Sequence, residues 1–322
     1  MRAIVSTAEG PALRDLPTPK PGASQVLVRV KTCSLNRADL LILEGAAHGF
    51  AGSASTPMGL EWAGEVVEVG DSVGKWKVGD RVMGAGYGAF AEYALAFDWM
   101  LYAIPDGVSY DQAAALPVAL QTMHDAIATN GQLAVGQKVL IQGASSAVGL
   151  MGMQVAKYLG AGLVIGTSTS EERRARLAEF GADVTIDSSA PDWVSQVNRA
   201  TKGKGVDLLV DFVAGPLING SLQATSVGGR MINIGRLGGN IGEFDFDLHN
   251  MRRITYIGAS FRSRSPQEVA RVIERTATVL GPGVADGSLR IPIDRVYQLE
   301  EAADALERMK QNVHFGKLVL EI

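Results

Sequence analysis

The sequence predicts an α/β protein in which a doubly wound parallel sheet is set inside a discontinuous β-rich domain. Three observations predict it. Residues 138–161 (KVLIQGASSAVGLMGMQVAKYLGA) read as a buried strand, a tight turn of small residues and a helix. Strand-like and helix-like segments then alternate regularly. The chain before Thr122 differs in texture, with short strand-like runs broken by Gly and Pro.

Residues 138–142 supply the first strand of the sheet, with Val139, Leu140 and Ile141 apolar in succession, as a strand covered on both faces requires. Residues 143–149 (GASSAVG) supply the turn. The helix repeats apolar or small residues at Val148, Gly152, Val155 and Leu159, one face at 3.6 residues per turn. Such a turn leaves N–H groups at a helix N-terminus free to bind the pyrophosphate of a dinucleotide. Ser146 and Ala147 stand where glycine is commoner, so an ordinary strand–helix turn is the alternative reading.

Downstream, strands are expected at 163–167, 184–186, 206–213, 230–234 and 254–259. Helices are expected at 171–180, 192–200 and near 217–224. This alternation means βαβ crossovers and a parallel sheet covered on both faces. Upstream, the runs at 26–30 (VLVRV), 64–70, 76–84 and 90–96 suggest hairpins and a partial barrel. A helix at 300–310 and a strand at 317–321 follow the last strand of the sheet. The expected division is a cofactor domain at 121–260, inserted in a domain made of 1–120 and 261–322, with a small-molecule site in the cleft between them.

The formal net charge is −4 and no basic run stands out, which argues against nucleic acid as a partner. The first residues, MRAIVSTAEG, lack the apolar core of a signal peptide, and no run suits a membrane span. A cytoplasmic enzyme is expected.

Residues 34–40 (SLNRADL), 59–64 (GLEWAG), 78–82 (VGDRV), 113–118 (AAALPV) and the GASSAVG turn follow one another as in the medium-chain dehydrogenase/reductases. The chain most resembles the zinc-independent quinone oxidoreductases related to zeta-crystallin, down to 315–322 (FGKLVLEI). The resemblance implies a GroES-like β-rich catalytic domain interrupted by a Rossmann cofactor domain. It further implies NADPH as cofactor, reduction of quinones or activated carbon–carbon double bonds, and a homodimer paired through the edge of the cofactor-domain sheet.

The resemblance also bears on metal. Asn36 stands where zinc-dependent relatives have a cysteine ligand, and Leu60 where they have a histidine. The single cysteine, Cys33, reads as a small buried hydrophobe, and the four histidines are scattered. No zinc site is expected. Without a Lewis acid, alcohol oxidation is disfavoured. A conjugated acceptor spreads the incoming hydride's charge onto its own oxygen, where modest hydrogen-bond donors suffice.

The second strand of the sheet ends Gly166-Thr167-Ser168-Thr169-Ser170, where an enzyme for NAD would carry a carboxylate. Ser168 and Arg173 suit the 2′-phosphate of NADPH. Related reductases carry a lysine at Arg173 and often a tyrosine at Ser188, while Glu171 and Glu172 speak against a phosphate. The expected cofactor contacts are Ser145, Ser146, Ala147, Val148, Gly149, Ser168 and Arg173. By resemblance, the strand ends at Val213-Ala214, at Gly235 and Leu237, and at Ser260, Phe261 and Ser263 flank the adenosine, ribose and nicotinamide.

Two residues are expected to be catalytic. Thr122 should lie beside the nicotinamide, and the Asn36 amide could donate to the substrate carbonyl, or form a turn without touching ligand. His124 reads as a proton donor or, more readily, a structural residue. Trp62, Phe50 and Tyr87 read as pocket lining or core. The competing functional readings are a carbonyl or enoyl-thioester reductase, and a cofactor-binding protein without turnover.

Overall fold

The computed structural model describes residues 1–44 and 56–322. The chain forms two compact units. One comprises Met1–Val118, Arg262–Ala285 and Arg290–Ile322, and the other Ala119–Phe261 with Asp286–Leu289.

In the first unit, strands β1 (Arg2–Thr7) and β2 (Gly10–Asp15) form a hairpin. A mixed sheet contains β3 (Gln25–Ser34), β4 (Glu61–Val69), β5 (Arg81–Ala85), β6 (Tyr93–Phe97) and β7 (Leu101–Ala103). The C-terminal strands β14 (Ile293–Gln298) and β15 (Lys317–Glu321) join it in the order β14-β15-β3-β4-β5-β7, with β6 also paired to β3. Its inward side chains, among them Val28, Val30, Trp62, Val66 and Leu320, close one apolar core together with Phe90. At about 25 cal/mol per Å² of buried apolar surface, burial of this kind is the main stabilising term.

In the second unit, β8 (Lys138–Gln142), β9 (Leu163–Thr167), β10 (Val184–Ile186), β11 (Val206–Asp211), β12 (Thr225–Asn233) and β13 (Thr255–Gly258) form an all-parallel sheet. The order β10-β9-β8-β11-β12-β13 reverses between β8 and β11, the doubly wound arrangement. The fold is therefore a GroES-like β-rich unit joined to a Rossmann parallel-sheet unit.

Local differences from the sequence reading have physical causes. The expected helix at 171–180 divides into α5 (Glu171–Ala175) and a 3₁₀ turn (Leu177–Phe180), which buries both Leu177 and Phe180. Strand β11 stops at Asp211 rather than 213, because the Asp211 carboxylate accepts the next amides and turns the chain. Sequence reading also missed α9 (Pro266–Ala285), a 20-residue helix of the first unit that buries Val272, Ile273, Thr276, Leu280 and Val284.

Candidate functional site

The turn after β8 is built for close approach. Gly143 takes φ +82°, and its N–H donates to Thr167 Oγ1 at 3.0 Å. The Ala144 N–H donates to the Thr167 carbonyl at 2.8 Å. Helix α4 (Ala147–Tyr158) follows, capped by Ser146, whose Oγ accepts the Gly149 N–H at 3.1 Å and donates to the Gly143 carbonyl at 3.0 Å. That leaves the first-turn amides of Ala147 and Val148 without an intrahelical acceptor. A Cβ at Gly149 would lie 2.7 Å from the Ala144 backbone, so only glycine lets α4 sit this close to the turn. Ser145, Ser146, Ala147 and Val148 are half-buried and Gly149 is buried. A pyrophosphate fits this cradle: small side chains, unpaired amides and the positive end of a helix dipole. The Ser146 hydroxyl, expected as a phosphate contact, already serves the cap.

At the end of β9, the buried Ser168 donates from Oγ to Ser145 Oγ at 3.0 Å. Arg174, which the sequence reading did not single out, donates from Nη1 to the Ser168 carbonyl at 2.8 Å and pairs with Asp187 Oδ2 at 3.3 Å. Hydrogen bonds from Ser189 hold the Asp187 carboxyl below its ordinary range. Arg173 is half-buried one residue earlier in α5. Position within the helix separates the two arginines, and sequence alone does not reveal which one turns back to the strand end. Ser188 is buried beside Asp187.

Gly235 follows β12, and Leu237 is 58% exposed. Ser260 and Phe261 follow β13 and are half-buried, whereas Ser263 belongs to the first unit. Thr122 is half-buried and His124 buried on α3 (Pro117–His124).

In the first unit, Asn36 precedes α1 (Arg37–Leu43) and lies in a buried polar cluster. Asn36 Nδ2 donates to Glu61 Oε1 at 2.9 Å, and Asn36 Oδ1 accepts from Lys317 Nζ at 2.8 Å. Lys317 also donates to the Leu35 carbonyl at 3.1 Å and forms an ion pair with Glu61. Glu61 further accepts from Ser34 Oγ at 2.6 Å and from the Val118 N–H at 2.8 Å. The Asn36 N–H donates to Asp39 Oδ2 at 2.7 Å, while Asp39 Oδ1 has no partner among the described residues. Burial pushes the Asp39 carboxyl up to about 7.

Sequence reasoning named Asn36 but missed Glu61 and Lys317. The available signal was a charged residue opening each of two strands, Glu61 in β4 and Lys317 in β15. Trp62 is core, 1% exposed, Tyr87 is exposed, and Phe50 lies outside the described residues. Cys33 is fully buried, and burial pushes its thiol well up. Among the described residues, no group of His, Cys, Asp and Glu side chains is arranged to hold a metal ion.

Comparison with known proteins places this geometry in a family. Residues 22–106 match the alcohol dehydrogenase GroES-like domain, and 147–278 match the model described as zinc-binding dehydrogenase. A mycocerosic acid synthase-like polyketide synthase of Mycolicibacterium smegmatis is 32% identical over 94% of this chain, which spans only 14% of that protein's length. The quinone oxidoreductase of Rattus norvegicus is 30% identical over 95% of this chain and 92% of its own. Two solved structures superpose over all of both chains with TM-scores of 0.89. They are an NAD-dependent alcohol dehydrogenase at 28% identity and the Escherichia coli quinone oxidoreductase complexed with NADPH at 23%, the latter showing the fold alone. The chain belongs to the medium-chain dehydrogenase/reductase family of oxidoreductases, which use a nicotinamide cofactor, and has quinone oxidoreductases among its relatives.

Proposed function

We propose that the protein is an NADPH-dependent reductase of quinones or α,β-unsaturated carbonyl compounds that works without zinc. The observation that carries the reading is the Asn36 cluster. A buried ammonium, Lys317, is bonded to the residue that stands where zinc-dependent relatives keep a cysteine ligand, and Leu60 stands where they keep a histidine. A cation at that spot repels a metal ion, and the donor set does not suit zinc. The substrate must then carry its own means of stabilising charge, as a conjugated carbonyl does.

NADPH, when bound, supplies the hydride. The protein's part is to bind the pyrophosphate on Ser145, Ser146, Ala147, Val148 and Gly149, and the 2′-phosphate near Ser168 and Arg173. Gly235, Leu237, Ser260, Phe261 and Ser263 bound the rest of the dinucleotide, with Thr122 beside the nicotinamide. Absence of a carboxylate at the end of β9 favours NADPH over NADH. Asn36 offers an amide N–H to the substrate oxygen. Lys317 and Glu61 each hold one end of that amide, so it cannot flip, and it requires no reorganisation when charge develops. The exposed edge strand β13, with Tyr256 beside Phe244 and with Phe246 and Met251 exposed on α8 (Phe246–Arg252), suits pairing of two copies. A cytoplasmic location is consistent with the absence, among the described residues, of a helix long and apolar enough to cross a membrane.

Oxidation of NADPH, followed at the nicotinamide absorbance, tests the reading against 1,4-benzoquinone, 9,10-phenanthrenequinone, 2-cyclohexenone and a 2-alkenal. Turnover that prefers NADPH to NADH and survives EDTA is expected. Turnover abolished by chelator and restored by zinc refutes it. The likeness to segments of polyketide synthases favours a second reading, reduction of an enoyl thioester. Crotonyl-CoA in the same panel distinguishes it.

A further inference from the structure

Asp211 ends β11, next to the point where the strand order reverses, and is fully buried. Its Oδ1 accepts the N–H groups of Val213 at 2.8 Å and Ala214 at 2.9 Å. Its backbone carbonyl accepts those of Ile234 at 2.8 Å and Gly235 at 3.2 Å. One residue thus collects four amides from the two loops that leave β11 and β12. Beyond it the loops are laced together, with Leu237 N–H donating to the Phe212 carbonyl at 3.1 Å and Gly238 N–H to that of Val213 at 2.8 Å. They touch so closely that a Cβ at Gly235 would lie 2.5 Å from the Phe212 carbonyl oxygen, and one at Gly215 would lie 2.6 Å from that of Gly238.

Ala214 sits in the middle at φ 56°, ψ −145°, backbone territory that a residue with a Cβ avoids. Such a conformation persists only where its surroundings over-determine it. Here the over-determining contact is the bond from the Ala214 amide to Asp211.

We infer that Asp211 is a positioning residue for the dinucleotide: its carboxylate holds residues 212–215, to which 235–238 are laced through the backbone, in one preformed arrangement, at the cost of strain at Ala214. The inference rests on the dinucleotide reading above. A preformed loop pair spares the cofactor the entropy of ordering it. A purely structural Asp211 would stabilise the sheet end without this link to Ala214.

The test combines Asp211→Ala, Asp211→Asn and Ala214→Gly. NADPH affinity is measured by calorimetry, and amide exchange is followed by mass spectrometry on the cofactor-free protein. Asp211→Ala should weaken NADPH binding about tenfold and speed exchange in the two loops while leaving β8 protected. Adding Ala214→Gly should restore about half of the lost binding free energy, because glycine takes the native φ and ψ without strain. If Asp211→Ala fails to fold, Asp211→Asn, whose amide oxygen still accepts but carries no charge, should weaken NADPH binding by a smaller factor, about half of which in free energy Ala214→Gly restores. Unchanged affinity and unchanged loop exchange overturn the inference alone, as does a loss that glycine at 214 does not recover. Wild-type protein that binds neither NADPH nor NADH overturns the dinucleotide reading and this inference with it.

Discussion

Replacing Lys317 by methionine removes the positive charge from a buried cluster. Glu61 keeps Ser34 Oγ–H, Asn36 Nδ2–H and the Val118 N–H, but loses its counter-ion, and the Leu35 carbonyl and Asn36 Oδ1 lose a donor. Both partners are almost wholly buried, so breaking the pair should cost about 3–5 kcal/mol. For a unit of this size that lowers the midpoint of thermal unfolding by roughly 6–20 °C. Glu61→Gln should cost somewhat less, because the amide oxygen still accepts from Lys317. The double variant buries no lone charge, and its cost should fall short of the sum of the singles by about 1–3 kcal/mol. Urea unfolding read by tryptophan fluorescence suits the experiment, since Trp62 lies in the core of the same unit. Single variants that each lose less than about 1 kcal/mol, or costs that add within about 0.5 kcal/mol, would refute the account of Glu61 and Lys317 as a tightly coupled buried pair.

Asp39 gives a pH dependence of defined sign. Its carboxyl is raised by burial from 3.8 to about 7, so the folded chain binds that proton more tightly than the unfolded chain. Its contribution is fully present below about pH 4, falls between pH 4 and 7, and is flat above, a loss of up to about 4 kcal/mol. Asp39→Asn should flatten that slope in denaturation at pH 4.5, 6 and 7.5, and an unaltered slope would show that Asp39 titrates normally. Gly149→Ala places a Cβ against the Ala144 backbone and should cost about 1–3 kcal/mol while weakening NADPH binding. Calorimetry showing wild-type affinity would dismiss the close helix approach as a requirement. Arg174→Met cuts the tie between the ends of β9 and β10 and should lower the NADPH-to-NADH ratio of kcat/KM about fivefold. A ratio that moves only with Arg173→Met would leave Arg174 as a mere brace. Cys33 should not react with a thiol reagent until the protein unfolds, and rapid labelling of native protein would contradict its burial.

The second unit was the more legible in sequence because its signals are local. A run such as residues 138–142 announces a covered strand by its own composition, and the small residues of 143–149 announce the turn that follows. Helix α9 was hidden by Gly281-Pro282-Gly283, which reads as a loop although the helix continues through Pro282. The Asn36 cluster was hidden for a different reason. Its members lie far apart in sequence, and nothing in the run GLEWAG says that its glutamate will meet a lysine 256 residues later. The role of Asp211 was masked because the run at 206–213 (VDLLVDFV) reads as one strand, which places Asp211 within it and not at its end.

That long separation has a consequence for how the chain is made. At about 5–20 residues per second, a ribosome that has just added Glu61 takes roughly 13–50 s to reach Lys317. Throughout that interval the nascent β3–β4 pair carries a carboxylate that its core can accept only with the ammonium present. The Rossmann unit is synthesised whole within the same interval and is free to fold first. The β-rich unit, begun earlier, is therefore finished last, and β15 acts as the latch that lets its interior dry.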